Sequence, residues 1–209
     1  MKGLLLKDFY MMTKYCRSYI WIAILFLAIS FVNSENMFFT FYPCLLVGMI
    51  PVNLLAYDEK SRWLSYSGAL PYTKAQIVSG KYIIGLFVQI IMLVLTAVAL
   101  AVRMVRDQVF HWNSYLFLII MLLLMSMMAS SISLPFMFKW GVEKGRMAYY
   151  ITIGVVCGGS VVATSLFQSQ LQEPIFIQRD MSLLGLLGVG IYALSWYLSI
   201  VFYKKRELV

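Results

Sequence analysis

Tyr82–Val102 reads YIIGLFVQIIMLVLTAVALAV and contains no charged side chain. A helix of about 20 apolar residues crosses the ~30 Å hydrocarbon core of a bilayer, and a charge at its centre costs about 2.5–3.5 kcal/mol. Five further stretches have the same character, and all 17 basic and 9 acidic residues lie in connectors or at the ends. The predicted spans are 19–32, 37–57, 82–102, 115–138, 147–167 and 182–203. We therefore predict an all-α polytopic membrane protein with six transmembrane helices.

The composition agrees with this prediction and limits the number of domains. Hydrophobic residues make up 62% of the chain and charged residues 12%, whereas soluble domains have about 45–50% and ~25%. The connectors are too short for a soluble domain. We predict one membrane domain covering residues 1–209.

Basic residues are concentrated on alternate connectors. Of the 17 basic residues, 14 precede span one, follow span six, or lie between spans two and three or four and five. They are Lys2, Lys7, Lys14, Arg17, Lys60, Arg62, Lys74, Lys81, Lys139, Lys144, Arg146, Lys204, Lys205 and Arg206. The positive-inside rule then predicts that both termini are cytoplasmic. The net charge of +8 is thus a topology signal that also attracts anionic lipid headgroups, and we expect no nucleic-acid partner.

The predicted spans lack the groups that several activities require. Ion-coupled carriers place ionisable residues at membrane depth, and the spans contain none. Phosphate-binding G-x-x-x-x-G-K-[ST] is absent, and the single histidine, His111, lies in an outer connector. The three cysteines have no metal-ligand or disulfide spacing. We expect no catalytic residue, metal or cofactor in this chain, which disfavours an intramembrane enzyme.

Neutral polar and small residues in two spans leave two interpretations open. Span two contains Pro43, Pro51 and Asn53, and proline removes a backbone donor and tends to kink a helix. Span five contains Gly154, Gly158, Ser160 and Thr164. Small residues of this kind usually allow close helix packing. The alternative is that both spans border a transport path, as broken helices do in transporters.

The first 18 residues predict an amphipathic helix on the inner leaflet. At ~100° per residue one face is apolar and the other carries Lys2, Lys7, Lys14 and Arg17. The apolar face consists of Leu4, Leu5, Phe9, Met12, Tyr15, Cys16 and Tyr19. Asp8 falls on that face. It either pairs with a cation of a neighbouring inner connector or extends to the interface.

The connector 58–81 has its own predicted structure. Within Ser61–Leu70 a short helix is expected, limited by Gly68 and Pro71. Thr73 and Gln76 fit a capping box that starts the next helix. The short helix is either a surface that another protein grips or an amphipathic connector that rests on lipid.

Three stretches resemble one family. Glu59…Trp63…Tyr66…Ala69-Leu70-Pro71-Tyr72-Thr73-Lys74…Ile77-Val78…Lys81-Tyr82 is similar to the first inner loop of ABC-2-type permeases. Leu134-Pro135-Phe136…Phe138-Lys139-Trp140-Gly141-Val142-Glu143-Lys144-Gly145-Arg146 resembles their second inner loop, and Leu6-Lys7-Asp8-Phe9 resembles their start. The sequence departs from the family at Ala69, where serine is frequent, and at Arg62, where glycine often stands.

The resemblance implies a dimeric membrane core, with a homodimer expected, above two ABC ATPase subunits that hold ATP and Mg. The predicted coupling helix would contribute Asp58, Glu59, Arg62, Trp63, Tyr66, Leu70, Pro71 and Lys74 to the ATPase contact. A secondary contact would come from Lys7, Asp8, Lys139, Glu143, Lys144 and Arg146. The host membrane would be the bacterial plasma membrane.

Among small permeases, the chain looks most like exporters of amphipathic antimicrobial peptides, the phenol-soluble-modulin exporters. This implies export of an amphipathic peptide powered by the partner ATPase. A different class of function, a polytopic regulatory or immunity protein that does not transport, is also compatible with the residues.

Overall fold

The structure is a computed structural model that describes residues 2–32, 38–67, 69, 71–108, 110–147, 150–151 and 181–205. Every regular element in these residues is a helix. The helices are α1 (Lys2–Tyr15), α2 (Arg17–Val32), α3 (Phe38–Gly48), α4 (Ile50–Lys60), α5 (Trp63–Ser67), α6 (Lys74–Arg106), α7 (Trp112–Trp140) and α8 (Met181–Lys205). Residues 142–147 form a further short helical segment.

Several of these helices are long and apolar enough to cross a membrane. Within the described residues they are Phe38–Lys60, Lys74–Arg106, Trp112–Trp140 and Gly185–Lys205. A fifth span results if α1 and α2 count together, although they bend by 65°. Length and composition therefore make this a multi-pass membrane protein. Residues 152–167 of the fifth predicted span lie outside the described residues, so six spans remains a prediction.

The second predicted span is interrupted where the prolines led us to expect a distortion. α3 continues through Pro43 and ends at Gly48, and α4 begins at Ile50 with Pro51 in its first turn. Proline is tolerated there because the first amides of a helix have no intrahelical partner. The interruption is confined to Met49, whose φ of −84° and ψ of −8° remain right-handed helical, so α3 and α4 form one span, Phe38–Lys60.

α6 begins with the predicted capping box. The Thr73 hydroxyl accepts a hydrogen bond from the Gln76 amide at 3.2 Å, and the Gln76 side chain accepts one from the Thr73 amide at 3.1 Å. The helix has 33 residues, about 50 Å at 1.5 Å per residue. Because this exceeds the ~30 Å hydrocarbon core, α6 extends beyond that core. The end of the connector and the third predicted span therefore form one continuous helix.

The four predicted inner segments meet at one end of the bundle, which we call the basic end. Lys7 of α1 bonds Asp58 of α4, and Lys74 Nζ donates to the Lys204 carbonyl at 3.3 Å. The amide of Val142 reaches α4 as well. An apolar core beneath these contacts includes Tyr82, Phe138 and Tyr203. This places the basic segments on one side, while their orientation towards the cytoplasm remains a prediction.

The N-terminal helix packs on a narrower stripe than its sequence predicts. Leu4, Asp8, Met12 and Cys16 are buried at intervals of four residues, which is one side of a helix. Phe9 and Tyr15, which we assigned to the apolar face, are exposed. The i, i+4 stripe excludes them because α1 lies against α6 and α4 rather than on lipid alone.

Candidate functional site

The basic end contains a cluster of four charges, three of which are buried. Lys81 Nζ of α6 lies 2.7 Å from Asp8 Oδ1 of α1 and 2.5 Å from Asp58 Oδ2 of α4. Lys7 Nζ completes the cluster at 2.8 Å from Asp58 Oδ1 and 3.2 Å from Asp8 Oδ1. The side chains of Lys81, Asp8 and Asp58 are at most 2% exposed. Two lysines and two aspartates thus neutralise one another across three helices.

Asp8 is therefore explained by a partner on another segment. Its place on the apolar stripe of α1 is compatible with burial because Lys81 supplies the opposite charge. Of the two explanations left open by the sequence, pairing with an inner-connector cation is confirmed. An isolated buried charge would cost several kcal/mol, so each member of the cluster needs the others.

This geometry concerns two residues of the predicted ATPase contact, Asp58 and Asp8. Both carboxylates are enclosed and paired inside the chain, so a role of either in the ATPase contact stays a prediction. They hold segments together.

The short helix α5 is attached to the cluster by an aromatic contact. Lys7 Nζ lies 3.4 Å from the centroid of the Trp63 ring, a cation–π geometry worth about 0.5–2 kcal/mol depending on desolvation. Trp63 also packs against the apolar core of the basic end. These contacts hold the first residue of α5 in place, whereas Tyr66 further along the helix is 65% exposed.

The turn before α5 has a backbone conformation that glycine would adopt more readily than arginine. Arg62 has φ 54°, a left-handed conformation that costs a residue with a side chain about 1–2 kcal/mol and costs glycine little. Its side chain is exposed. Arginine in place of glycine therefore adds a positive charge to the surface of the turn, and it also strains the backbone.

The second inner loop is tied to α4 by Glu59. Its Oε2 accepts a hydrogen bond from the Val142 amide at 2.7 Å, the first free amide of the helical segment 142–147. Gly141 permits this turn with φ 86°. A Cβ on Gly145 would lie 2.7 Å from Met137 Cα, so the segment folds back closely on α7.

Two adjoining cavities start at this loop. The larger, about 710 Å³, is lined by Tyr19, Asn53, Ala56, Tyr57, Glu59, Lys60, Trp140, Gly141, Val142, Glu143, Lys144 and Arg146. The smaller, about 220 Å³, shares Tyr19, Asn53 and Arg146 and reaches Met49 at the break between α3 and α4. Together they lead from the basic end to the interruption of the second predicted span.

The structure brings the predicted contact residues together only in part. Arg62, Tyr66, Pro71, Lys139, Glu143, Lys144 and Arg146 have exposed side chains at the basic end. Lys74 is half-buried against the last turn of α8. Leu70 lies outside the described residues. An ATPase could reach the exposed set without opening the fold.

The predicted path residues are separated. Pro43 and Pro51 are buried in helix packing, whereas Asn53 lines both cavities. Gly154, Gly158, Ser160 and Thr164 lie outside the described residues. Asn53 is thus the predicted path residue that the described structure places beside an open space.

Sequence reasoning missed two functional features of the bundle. Lys81 was counted as an inner cation, although its spacing from Ile77 and Ile84 already put it on the buried side of α6. Gln89 was not considered. Its Nε2 donates to the Ser126 carbonyl at 3.2 Å and to Ser130 Oγ at 2.8 Å. A lone glutamine inside an apolar run was the available signal.

Helices that are long and apolar enough to cross a membrane define a multi-pass membrane protein, and its basic end carries a buried charge cluster. The sequence model of the family described as ABC-2 family transporter protein matches residues 3–204. This match spans nearly the whole chain, which therefore belongs to the ABC-2 family of transporter proteins, membrane components of ABC transporters that pair with separate ABC ATPases. No curated protein and no solved structure matches the chain.

Proposed function

We propose that this chain is the membrane-spanning subunit of an ATP-driven exporter of amphipathic peptides such as phenol-soluble modulins. One observation supports the ATPase contact: exposed residues of α5 and of the loop 139–146 lie at the same end of the bundle. Glu59, at the end of α4 just before α5, binds the loop through the Val142 amide, so one ATPase surface can contact both segments.

The proposed assembly contains two copies of this chain and two ATPase subunits in the bacterial plasma membrane. Both termini face the cytoplasm, and ATP and Mg are held by the ATPases. Large apolar side chains cover the outer sides of α6 and α8, including Val94, Val98, Leu186, Leu194 and Tyr197. Such surfaces suit contact with lipid or with the second copy.

The proposed cargo follows from the chemistry of the spans. Met125 and Met128 are exposed on α7, and methionine adapts to apolar partners of varied shape. The hydrogen-bonding groups Gln89, Thr96 and Ser130, which lie away from the charged ends of the described spans, are neutral. An amphipathic helix can place its apolar face against such a surface more readily than a sugar or an ion can.

Co-purification tests the proposal. The tagged full-length chain would be extracted from its native membrane, and bound ATPase and peptide identified by mass spectrometry. We expect an ABC ATPase in equal amount. In proteoliposomes, ATP hydrolysis should rise severalfold with an amphipathic peptide and not with a peptide of the same composition whose apolar face is scrambled. Recovery without any ATPase, and without stimulated hydrolysis, would favour the regulatory or immunity function.

A pair of tyrosines with equal exposure gives matched variants. Tyr66 on α5 is 65% exposed and Tyr197 on α8 is 66% exposed. Tyr66→Ala should weaken ATPase co-purification because it removes an exposed ring of the proposed contact. Tyr197→Ala should leave it unchanged. Equal binding by both variants would contradict the coupling role of α5.

A further inference from the structure

Lys81 joins three separate segments through one ammonium group. It contacts Asp8 on α1 at 2.7 Å and Asp58 on α4 at 2.5 Å from the first turns of α6, and all three side chains are at most 2% exposed. These segments are α1, α4 and α6. A single buried group therefore contacts all three segments.

Such a cluster is poorly suited to raising stability. Burying two opposite charges loses hydration that their attraction barely recovers, and apolar replacements are often as stable. Removing one partner, in contrast, costs about 3–5 kcal/mol because a charge is left buried and unpaired. The cluster thus favours the arrangement in which all its charges are paired. Moving one of the three segments away from the others would leave a buried charge unpaired.

The cluster also continues outward to α5. Lys7 Nζ lies 2.8 Å from Asp58 Oδ1 and 3.4 Å from the centroid of the Trp63 ring. A displacement of α5 therefore acts on Lys7, then on Asp58, and then on Lys81. Each step of this chain is a direct contact between named side chains.

We infer that Lys81 is a positioning residue of the transport cycle, which holds α1 and α4 on the start of α6 so that movement of α5 is passed to that span. This inference rests on the proposed function, because it assumes that an ATPase moves α5. The residue touches neither nucleotide nor cargo and acts through Asp8 and Asp58.

Two variants separate positioning from simple structural support. Lys81→Met leaves the cluster with one net negative charge, whereas Lys81→Met combined with Asp58→Asn restores neutrality and keeps the Lys7–Asp8 pair at 3.2 Å. The single variant is expected to loosen α1 and to lower transport per ATP hydrolysed. The double variant should hold α1 in place again, yet its transport per ATP should stay low because the link between α4 and α6 is lost.

A partner-independent measurement reports on α1. Cys16 follows α1 directly and is fully buried, so its maleimide labelling in full-length chain carrying Cys44→Ser and Cys157→Ser measures local opening. We expect severalfold faster labelling in Lys81→Met and wild-type protection in the double variant. Lys2→Met, which removes an exposed charge from the same end of the chain, is the control and should change neither measurement.

The outcomes are distinguishable from failure of the proposed function. A wild-type chain that neither binds an ATPase nor exports peptide contradicts the proposed function before any variant is compared. With a working wild type, unchanged Cys16 labelling in Lys81→Met overturns the inference. It is also overturned if the double variant recovers both Cys16 protection and wild-type transport per ATP, because the cluster would then serve only to hold the fold.

Discussion

The hydroxyl of Ser130 donates a 2.6 Å hydrogen bond to the carbonyl oxygen of Gly48. Gly48 is the last residue of α3, and the helix is interrupted at Met49 before α4 begins at Ile50. Ser130 also accepts a hydrogen bond from Gln89 Nε2 at 2.8 Å. Because an unpaired backbone carbonyl in hydrocarbon costs several kcal/mol, this contact from α7 stabilises the interrupted span and joins it to α6.

Gly48→Ala is expected to disrupt the packing of α3 on α7. A Cβ at this position would lie 2.6 Å from the Ser126 carbonyl oxygen, which is backbone and cannot rotate away. Overpacking of this kind costs about 1–3 kcal/mol. Thermal unfolding in detergent should show a lower midpoint. Gly190→Ala is the matched control, since a Cβ there has open space. Equal midpoints would contradict the close approach.

Arg62→Gly separates backbone strain from a side-chain contact. Glycine removes the cost of φ 54° and adds conformational entropy to the unfolded chain, so we expect a stabilisation of up to about 1 kcal/mol. Gln108→Gly relieves a similar φ of 56° after α6 and should stabilise equally. Reduced ATPase co-purification for Arg62→Gly alone would assign the Arg62 side chain to the contact. Destabilisation by both variants would refute the strain.

Glu59 positions the second inner loop through a hydrogen bond, and two substitutions test this. Glu59→Gln keeps an acceptor for the Val142 amide, which Glu59 Oε2 now binds at 2.7 Å, and should retain ATPase binding. Glu59→Arg removes the acceptor and should weaken binding while membrane insertion continues. Hydrogen exchange at residues 142–147 should be faster in the arginine variant only. Loss of binding in both variants would show that the charge itself is needed.

Cys16 should react slowly with maleimide over the neutral range. Burial raises the pKa of its thiol to about 11, an effect that the nearby Lys81 ammonium partly offsets. The thiolate is the reactive form, and maleimide reaches the buried thiol only when the segment opens. The labelling rate of the folded chain at pH 7 to 8 should therefore be at least tenfold below that of the denatured chain. Rates measured in both states on chain carrying Cys44→Ser and Cys157→Ser would check this, and equal rates would contradict the burial.

Local features were predictable because neighbouring residues alone produce them. The capping box needs only Thr73 and Gln76, and the break follows from Pro51, so both appear where the sequence places them. Asp8 on an apolar stripe was compatible with a partner cation or with extension to the interface, and the structure shows the partner to be Lys81. Its identity could not be derived, because Lys81 is 73 residues away and several inner cations were equally eligible.

The sequence by itself determined that this is a membrane protein, because a charge-free run of about 20 apolar residues indicates a membrane-spanning helix wherever it lies in the chain. It also determined which connectors carry the positive charge. Only the tertiary structure decided that Asp8 and Asp58 are enclosed and pair with Lys81, and that Glu59 binds the Val142 amide. The physical reason is that hydropathy is a property of a segment, whereas pairing of buried charges depends on which helix ends pack together.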